Sequence, residues 1–138
     1  MTVLRVKGTV IKQEISSVLT AVAQIIEFSH SGAESETFDA TTIDTSGAGK
    51  EYAPTGYSEG GSFDFSIFYD PALAGHQAIT DLVAAPAACN WDCTFTDTGA
   101  TNSTFTSAGV GFGFTGAMND GLKADVSLKL DQLFAYST

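Results

Sequence analysis

The sequence predicts a mainly β protein, an antiparallel β-sandwich or barrel of about seven strands with one α-helix. Three observations support this class. Apolar and polar residues alternate along several segments, and a single segment has helical periodicity. Only 16% of the residues are charged, and Thr, Ser and Gly occupy the polar positions, as is typical of β-structure. The length of 138 residues fits a single domain, 1–138.

The first third of the chain is predicted to contribute strands. Residues 1–15 form either an N-terminal arm or a first strand, which Gly8 interrupts. Residues 18–28 are apolar at nearly every position, which favours a strand and leaves a short helix as the alternative. Residues 37–44 are Thr-rich and alternate in polarity, which predicts a further strand.

A long loop is predicted at about residues 45–60, where glycine, proline and polar residues follow no period. Loops of this length are usually functional or disordered. The loop contains the Gly-Lys pair of a phosphate-binding motif, but Asp44 replaces the required earlier glycine and Glu51 replaces the hydroxyl residue after Lys50. Both acids would repel phosphate, so no nucleotide site is predicted.

The middle of the chain is predicted to pass from a strand into the helix. Residues 62–70 predict a strand, in which Ser62, Asp64 and Ser66 share one face and apolar residues share the other, namely Phe63, Phe65, Ile67 and Tyr69. Asp70 and Pro71 form a helix start, with an acidic N-cap followed by proline, and the helix is predicted at about residues 71–85. His76 lies on or beside the apolar stripe of this helix, where packing or capping is favoured over catalysis.

The C-terminal half is predicted to be a meander of strands. The last of them has a period of two over residues 122–131, after an Asn-Asp-Gly turn at residues 119–121. In the strand before it, Gly109, Gly111 and Gly113 share a face without side chains, which is typical of close approach by another element.

Cys89 and Cys93 are predicted to be buried free thiols. In an extended strand their Cα atoms would lie about 13 Å apart at ~3.3 Å per residue, beyond the ~7 Å that a disulfide allows. His30 and His76 are distant in sequence and make no paired-ligand spacing with them. No metal or cofactor site is therefore predicted.

The balance of sixteen acids against six bases gives a net charge of −10. This charge disfavours tight non-specific binding of nucleic acid, and it serves either solubility or a surface along which a polyanion passes without adhering. The acids are scattered and neither histidine has a catalytic context, so no catalytic residue is predicted. The sequence contains no run of the ~20 apolar residues that a membrane helix needs and no secretion signal, so we expect synthesis in a cytoplasm and no membrane partner.

Three segments follow one another in a characteristic order: DATTID at 39–44, EYAPTGYSEGG at 51–61 and FSIFYDP at 65–71. With the helix and the alternating last strand, this order resembles that of the major tail tube proteins of long-tailed, lambda-like phages. It also resembles the related tail protein of gene transfer agents. The resemblance covers roughly residues 18–135 and depends on the order and spacing of short motifs.

This resemblance implies a structural subunit that assembles as stacked hexameric rings around a lumen, through which DNA passes during ejection without specific binding. It favours a non-contractile tail. It also implies partners of three kinds, namely the tape measure, the tail terminator and the distal tail proteins. The subunit would be made in the cytoplasm of a bacterial host and located in the virion tail.

Two sets of residues acquire roles from the resemblance. The long loop would contact the adjacent ring, and its contact residues would be Lys50, Glu51, Tyr52 and Tyr57. Acids on outward strand faces would keep DNA from adhering to the lumen. The candidate lumen acids are Asp64, Asp92 and Asp125, although Lys123 and Lys129 share the face of the last of these.

The alternative function is a β-sandwich carbohydrate-binding or adhesin-type module, and a small hydrolase with a converging acid pair is a third. A binding module should expose aromatic residues on one sheet face. The sequence places most large aromatics toward the core, whereas Phe68 and Tyr69 point to opposite faces and keep the binding module open. The aromatics predicted to face the core are Phe63, Phe65, Trp91, Phe112 and Phe114.

Overall fold

The computed structural model describes residues 3–137, which form nine strands and one helix. In chain order these are β1 (Val10–Ile15), β2 (Val18–Ala21), β3 (Ile25–Ser31), β4 (Glu34–Asp39), β5 (Tyr52–Glu59), β6 (Ser62–Phe68), α1 (Ala74–Ala84), β7 (Cys89–Thr94), β8 (Asn102–Thr115) and β9 (Lys123–Ser137). Seven strands form one antiparallel sheet in the order β2-β1-β7-β8-β9-β6-β3, which is not closed into a barrel. The pair β4-β5 is a separate hairpin. The mainly β fold class with one helix is confirmed.

Strands β8 and β9 form the long axis of the sheet. Their pairing runs from Asn102 opposite Ser137 to Thr115 opposite Lys123, with two register shifts between these ends. The first part of β8 also pairs with β7, and the first part of β9 also pairs with β6. The period predicted for the last strand is confirmed, because alternate residues of β9 are buried. The buried set is Ala124, Val126, Leu128 and Leu130.

The core lies on one face of this sheet and beneath α1. The free thiols of Cys89 and Cys93 are buried in it, as predicted. Trp91 is buried and donates its indole N–H to Ser107 Oγ over 3.0 Å. Of the five aromatics predicted to face the core, Phe112 is half-buried. Phe114 is exposed, because it lies near the end of β8 and stacks on Tyr69 at the rim.

The N-terminal strands are shorter than predicted. Residues 18–28 do not form one strand, because the chain turns at residues 22–24, where Gln24 has a φ of 65°. Within the predicted arm, β1 begins at Val10. The segment before it is attached by a hydrogen bond that Thr96 Oγ1 donates to the Arg5 carbonyl over 2.7 Å. Residues 1 and 2 of that arm lie outside the described residues.

The predicted helix start at Asp70 is wrong. The helix begins at Ala74, and its N-cap residue Leu73 makes no side-chain cap. Asp70 instead closes a turn before the helix, where its carboxylate accepts the Ala72 N–H over 2.9 Å. Its own N–H donates to His76 Nδ1 over 3.0 Å, and His76 Nε2 donates to the Ala23 carbonyl over 2.8 Å. His76 is fully buried, and both of its ring nitrogens join neighbouring segments.

The predicted long loop is also shorter than expected, because its second half is a strand. Strand β4 ends at Asp39, whose carboxylate accepts the Thr41 N–H over 2.9 Å. Residues 40–51 form the connecting loop, and Tyr52–Glu59 pairs back as β5. Every residue of β4 and β5 except Ala53 is exposed, so no buried face produced an alternating sequence pattern.

Two glycines fix the point where this hairpin leaves the sheet, which we call the hairpin root (Gly60 and Gly61). A Cβ atom at Gly60 would lie 2.0 Å from the Gln132 carbonyl oxygen of β9. One at Gly61 would lie 2.0 Å from the Ser31 carbonyl oxygen, and Gly61 has a φ of 80°. His30 Nε2 lies 2.7 Å from the Gly60 carbonyl oxygen. The root therefore has no space for a side chain.

Substituting Gly60→Ala should lower the free energy of unfolding by roughly 1–3 kcal/mol, because the new methyl group overlaps backbone atoms of β9. Urea denaturation followed by Trp91 fluorescence measures this loss. Gly113→Ala is the matched control, since nothing lies within 4 Å of a Cβ atom there. Equal stability of the two variants would contradict the tight root.

Candidate assembly surfaces

Four neighbouring strands, β3, β6, β9 and β8, present one polar face on the side of the sheet opposite the core. Strand register sorts its side chains into rows that cross all four strands. The row nearest the hairpin root is Ser31, Ser62, Lys129 and Gly109. The two central rows are Ser29, Asp64, Ser127 and Gly111, followed by Glu27, Ser66, Asp125 and Gly113. We call these twelve residues the polar face.

Acids occupy the central rows of the polar face. Glu27, Asp64 and Asp125 border a shallow groove of about 340 Å³ together with serines. Asp125 accepts a hydrogen bond from Ser66 Oγ over 2.7 Å. The one cation of the polar face, Lys129, stands in the row at the root. The middle of the polar face is therefore anionic. Lys129 lies at one end of it, and Lys123, on the same side of β9, lies beyond the other end.

The glycines of β8 add no side chains to the polar face. Nothing lies within 4 Å of a Cβ atom built on Gly109 or Gly113, and at Gly111 the nearest atom is Ser127 Cβ at 3.7 Å. The prediction that these glycines share a bare face is confirmed. Among the described residues, no other element of the chain covers that face.

The structure groups two of the three candidate lumen acids and separates the third. Asp64 and Asp125 lie in adjacent rows of the polar face. Asp92 lies on β7, opposite Lys12 and Thr104, and is only 4% exposed. Thr94 Oγ1 donates to its carboxylate over 3.0 Å.

Sequence reasoning missed Glu27 and Ser29 on the polar face. The signal was present in IIEFSHS (residues 25–31), where polar residues alternate with Phe28 and His30. The single apolar strand predicted for residues 18–28 includes the start of this segment and so hides its alternation.

The candidate contact residues all lie on the β4-β5 hairpin and are exposed. Lys50 and Glu51 are in the loop at its tip, and Tyr52 begins β5 at 63% exposure. Tyr57, 74% exposed, lies nearer the root. The hairpin with its loop, residues 34–59, carries six acids and a single base. The acids are Glu34, Glu36, Asp39, Asp44, Glu51 and Glu59.

Neither thiol has the properties of a nucleophile. Burial raises the pKa of the Cys93 thiol to about 11, and the adjacent Asp92 carboxylate adds to the effect. Burial also raises the pKa of Cys89. Across residues 3–137, no three His, Cys, Asp or Glu side chains come together as metal ligands. The described part of the chain also contains no helix that is long and apolar enough to cross a membrane.

No protein-family model and no curated protein matches the sequence. Solved structures do match the fold. A chain in the tail of an empty gene transfer agent particle, refined with C6 symmetry, superposes with a TM-score of 0.78 at 13% identity, covering 99% of this chain and 100% of that one. A chain of the SPP1 tail tube gives 0.66 at 10% identity, over 97% of this chain and 80% of that one.

The chain has the fold of a tail-tube protein. The resemblance expected from the sequence is thereby confirmed at the level of the fold. The same fold occurs in contractile assemblies, because a chain of the PVC sheath/tube terminator of an extracellular contractile injection system superposes with a TM-score of 0.70 at 9% identity. That match covers 100% of this chain and 99% of that one.

The two thiols should make stability fall at alkaline pH. Unfolded Cys93 has an ordinary thiol pKa of 9.0, whereas burial raises the pKa of the folded thiol to about 11. The contribution to stability is thus fully present below pH 9 and is lost as the pH rises from about 9 to about 11.

Urea denaturation at a series of pH values across this window measures the effect. The Cys89→Ala/Cys93→Ala variant is the control. We expect it to be less stable at pH 7 because of the cavities it creates, and to have a shallower alkaline decline. An identical pH dependence of stability in both proteins would contradict the assignment of the alkaline decline to the two thiols.

Proposed function

We propose that this chain is the structural subunit of a phage or phage-like tail tube, assembling as hexameric rings that stack around a DNA-conducting lumen. The observation that carries the proposal is the superposition, over almost the whole of both chains, on a chain in a gene transfer agent tail with C6 symmetry. The role is structural and not catalytic. The two buried thiols with raised pKa values and the fully hydrogen-bonded His76 are in keeping with that role.

The polar face is the surface that we assign to the lumen. Its serines and glycines present short side chains, so a duplex passes without meeting apolar projections. Glu27, Asp64 and Asp125 repel phosphate groups, and six copies per ring would multiply that repulsion. Lys129 and Lys123 lie beyond the two ends of the acidic middle rows and leave Glu27, Asp64 and Asp125 between them. Asp92 is buried and contributes little to this field.

The hairpin is the element that we assign to contact between rings, through Lys50, Glu51, Tyr52 and Tyr57. A two-stranded hairpin is marginally stable alone in water, so docking against a neighbour would stabilise it. Exposed tyrosines and charges are typical of contact surfaces.

The tube role implies further partners and a location. Solved neighbours include a sheath/tube terminator, a baseplate and a tube-terminating cap. We accordingly propose a tail terminator, distal tail proteins and a tape measure as partners, and the tail of a virion made in a bacterial cytoplasm as the location. We retain the non-contractile tail as a proposal from the sequence motifs.

The binding-module alternative has less support. Phe63, Phe65 and Trp91 are buried, and none of the twelve residues of the polar face is aromatic. A carbohydrate-binding face would require exposed aromatic rings to stack on sugars.

Purified protein should form rings or tubes with a central channel in negative-stain electron microscopy, and their number should increase with protein concentration. The protein should also sediment as large species. Deletion of residues 47–57 should leave rings that do not stack. A chain that stays monomeric at high concentration, even with tail partners added, would contradict the tube function.

Charge reversal at the lumen should make the tube retain DNA. Tubes of Asp125→Lys should co-sediment roughly tenfold more short duplex DNA at low salt than wild-type tubes, and the excess should disappear as salt increases. Asp81→Lys, on the exposed side of α1, is the matched control. Equal DNA retention by the two variants would argue against Asp125 as a lumen residue.

A further inference from the structure

A cavity of about 170 Å³ lies beside the hairpin root, on the core side of the sheet. Strands β3 and β6 form one wall, and β7, β8 and the end of β9 form the other. Among residues 3–137, no Asp, Glu, Lys or Arg lines this space. Six aromatic rings supply most of its lining, and we call it the aromatic cavity. These rings are Phe28, Phe63, Phe95, Phe105, Phe134 and Tyr136.

The aromatic cavity has a buried floor and an open rim. Phe63, Phe105 and Cys93 form the floor, and each is at most 5% exposed. The rings of Phe63 and Phe105 pack with their centres 4.9 Å apart. At the rim, Phe134 is half-buried and Tyr136 is 65% exposed. A small molecule can therefore enter past the rim and reach the floor while the chain stays folded.

His30 fixes the rim in position. Its ring meets the Phe134 ring edge to face, with centres 4.8 Å apart. Because a carbonyl oxygen only accepts, His30 Nε2 donates to the Gly60 carbonyl over 2.7 Å and ties the rim to the hairpin root. The aromatic cavity is thus formed before any ligand binds, as is usual for small-molecule sites.

Ser103 places one polar group among these rings. It lines the aromatic cavity and is only 8% exposed, and within residues 3–137 its hydroxyl makes no hydrogen bond. Ser107, on the same strand and the same face, is fully satisfied, because it accepts from the Trp91 indole and donates to the Cys89 carbonyl. A buried hydroxyl without a partner costs free energy, which a ligand that bonds to it would recover.

Size, lining and polarity together define the ligand. Apolar cavities of about 150 Å³ bind benzene, so the space suits a molecule of one or two small rings. Aromatic walls favour an aromatic ligand through offset and edge-to-face contacts. The lack of charged lining residues favours a neutral one, and Ser103 calls for a single hydrogen-bonding group.

We propose that the aromatic cavity binds a small neutral aromatic molecule of the phenol or indole class, with Ser103 as the partner of its hydroxyl or N–H group. The site lies within one chain and includes neither the acids of the polar face nor the tip of the hairpin. It therefore does not depend on the proposed tube function.

Isothermal titration of the purified full-length chain with phenol and with toluene tests the proposal. Phenol should bind with a dissociation constant of about 1 mM or lower. Ser103→Ala should weaken phenol binding about tenfold and leave toluene binding unweakened, because only phenol loses a hydrogen bond. Ser127→Ala, on the opposite side of the sheet, is the matched control and should bind both compounds as the wild type does.

Ser103→Ala should keep the thermal unfolding temperature of the wild type without ligand, since the hydroxyl that it removes makes no hydrogen bond. Absence of phenol binding to the wild type would overturn the proposal. Equal phenol affinity of the wild type and Ser103→Ala would overturn the role of Ser103.

Two further measurements locate the bound phenol. In nuclear magnetic resonance spectra of the ¹⁵N-labelled chain, phenol should shift the amide signals of Phe63, Cys93 and Ser103 most, and leave Gly47 in the hairpin loop unchanged. Largest shifts elsewhere in the chain would contradict the site.

Assembled tubes should bind phenol as the free chain does. Loss of binding on assembly would show that a neighbouring copy fills the aromatic cavity, and would overturn the assignment to a small molecule. If the protein forms no tubes, the tube function fails, whereas the titration of the free chain still decides the cavity proposal.

Discussion

The long antiparallel pairing of β8 with β9 sets the register at the centre of the seven-stranded sheet. It joins the strands that lead through β7 to the N-terminal edge of the sheet and the strands that lead through β6 to β3. A slip of one residue in this register would exchange Val126 and Leu128 for Asp125 and Ser127 in the core. The same register therefore creates the buried core and, on the opposite side, the polar face.

The segments in which one face is buried were predicted well from the sequence. Strand β9 alternates because its odd and even positions lie in different environments, and β6 was found for the same reason. Strand β5 could not be found in this way, because nearly all of it is exposed on both faces and Pro54 lies within it. The helix start was misplaced at Asp70, because the Asp70 carboxylate closes a turn onto the Ala72 N–H and the helix begins only after that turn.

The candidate surfaces were predicted in part. Asp64 and Asp125 were identified from alternation alone, but alternation cannot reveal that Asp92 lies on β7 and is covered by its neighbours. The hairpin root shows the same limit of local patterns. Gly60 and Gly61 have the composition of a loop, whereas their requirement for glycine comes from backbone atoms of Gln132 and Ser31. Surfaces that function between copies carry no burial pattern within one chain, so only their charge and exposed aromatics identify them.

Assignment of the polar face to a channel fixes how the subunits lie around the tube axis, and a helical cryo-electron microscopy reconstruction of the assembled protein would measure this arrangement. We expect β3, β6, β9 and β8 to surround the axis, with Asp64 and Asp125 directed into the channel. A reconstruction with helix α1 on the channel wall and the polar face on the outside would contradict it.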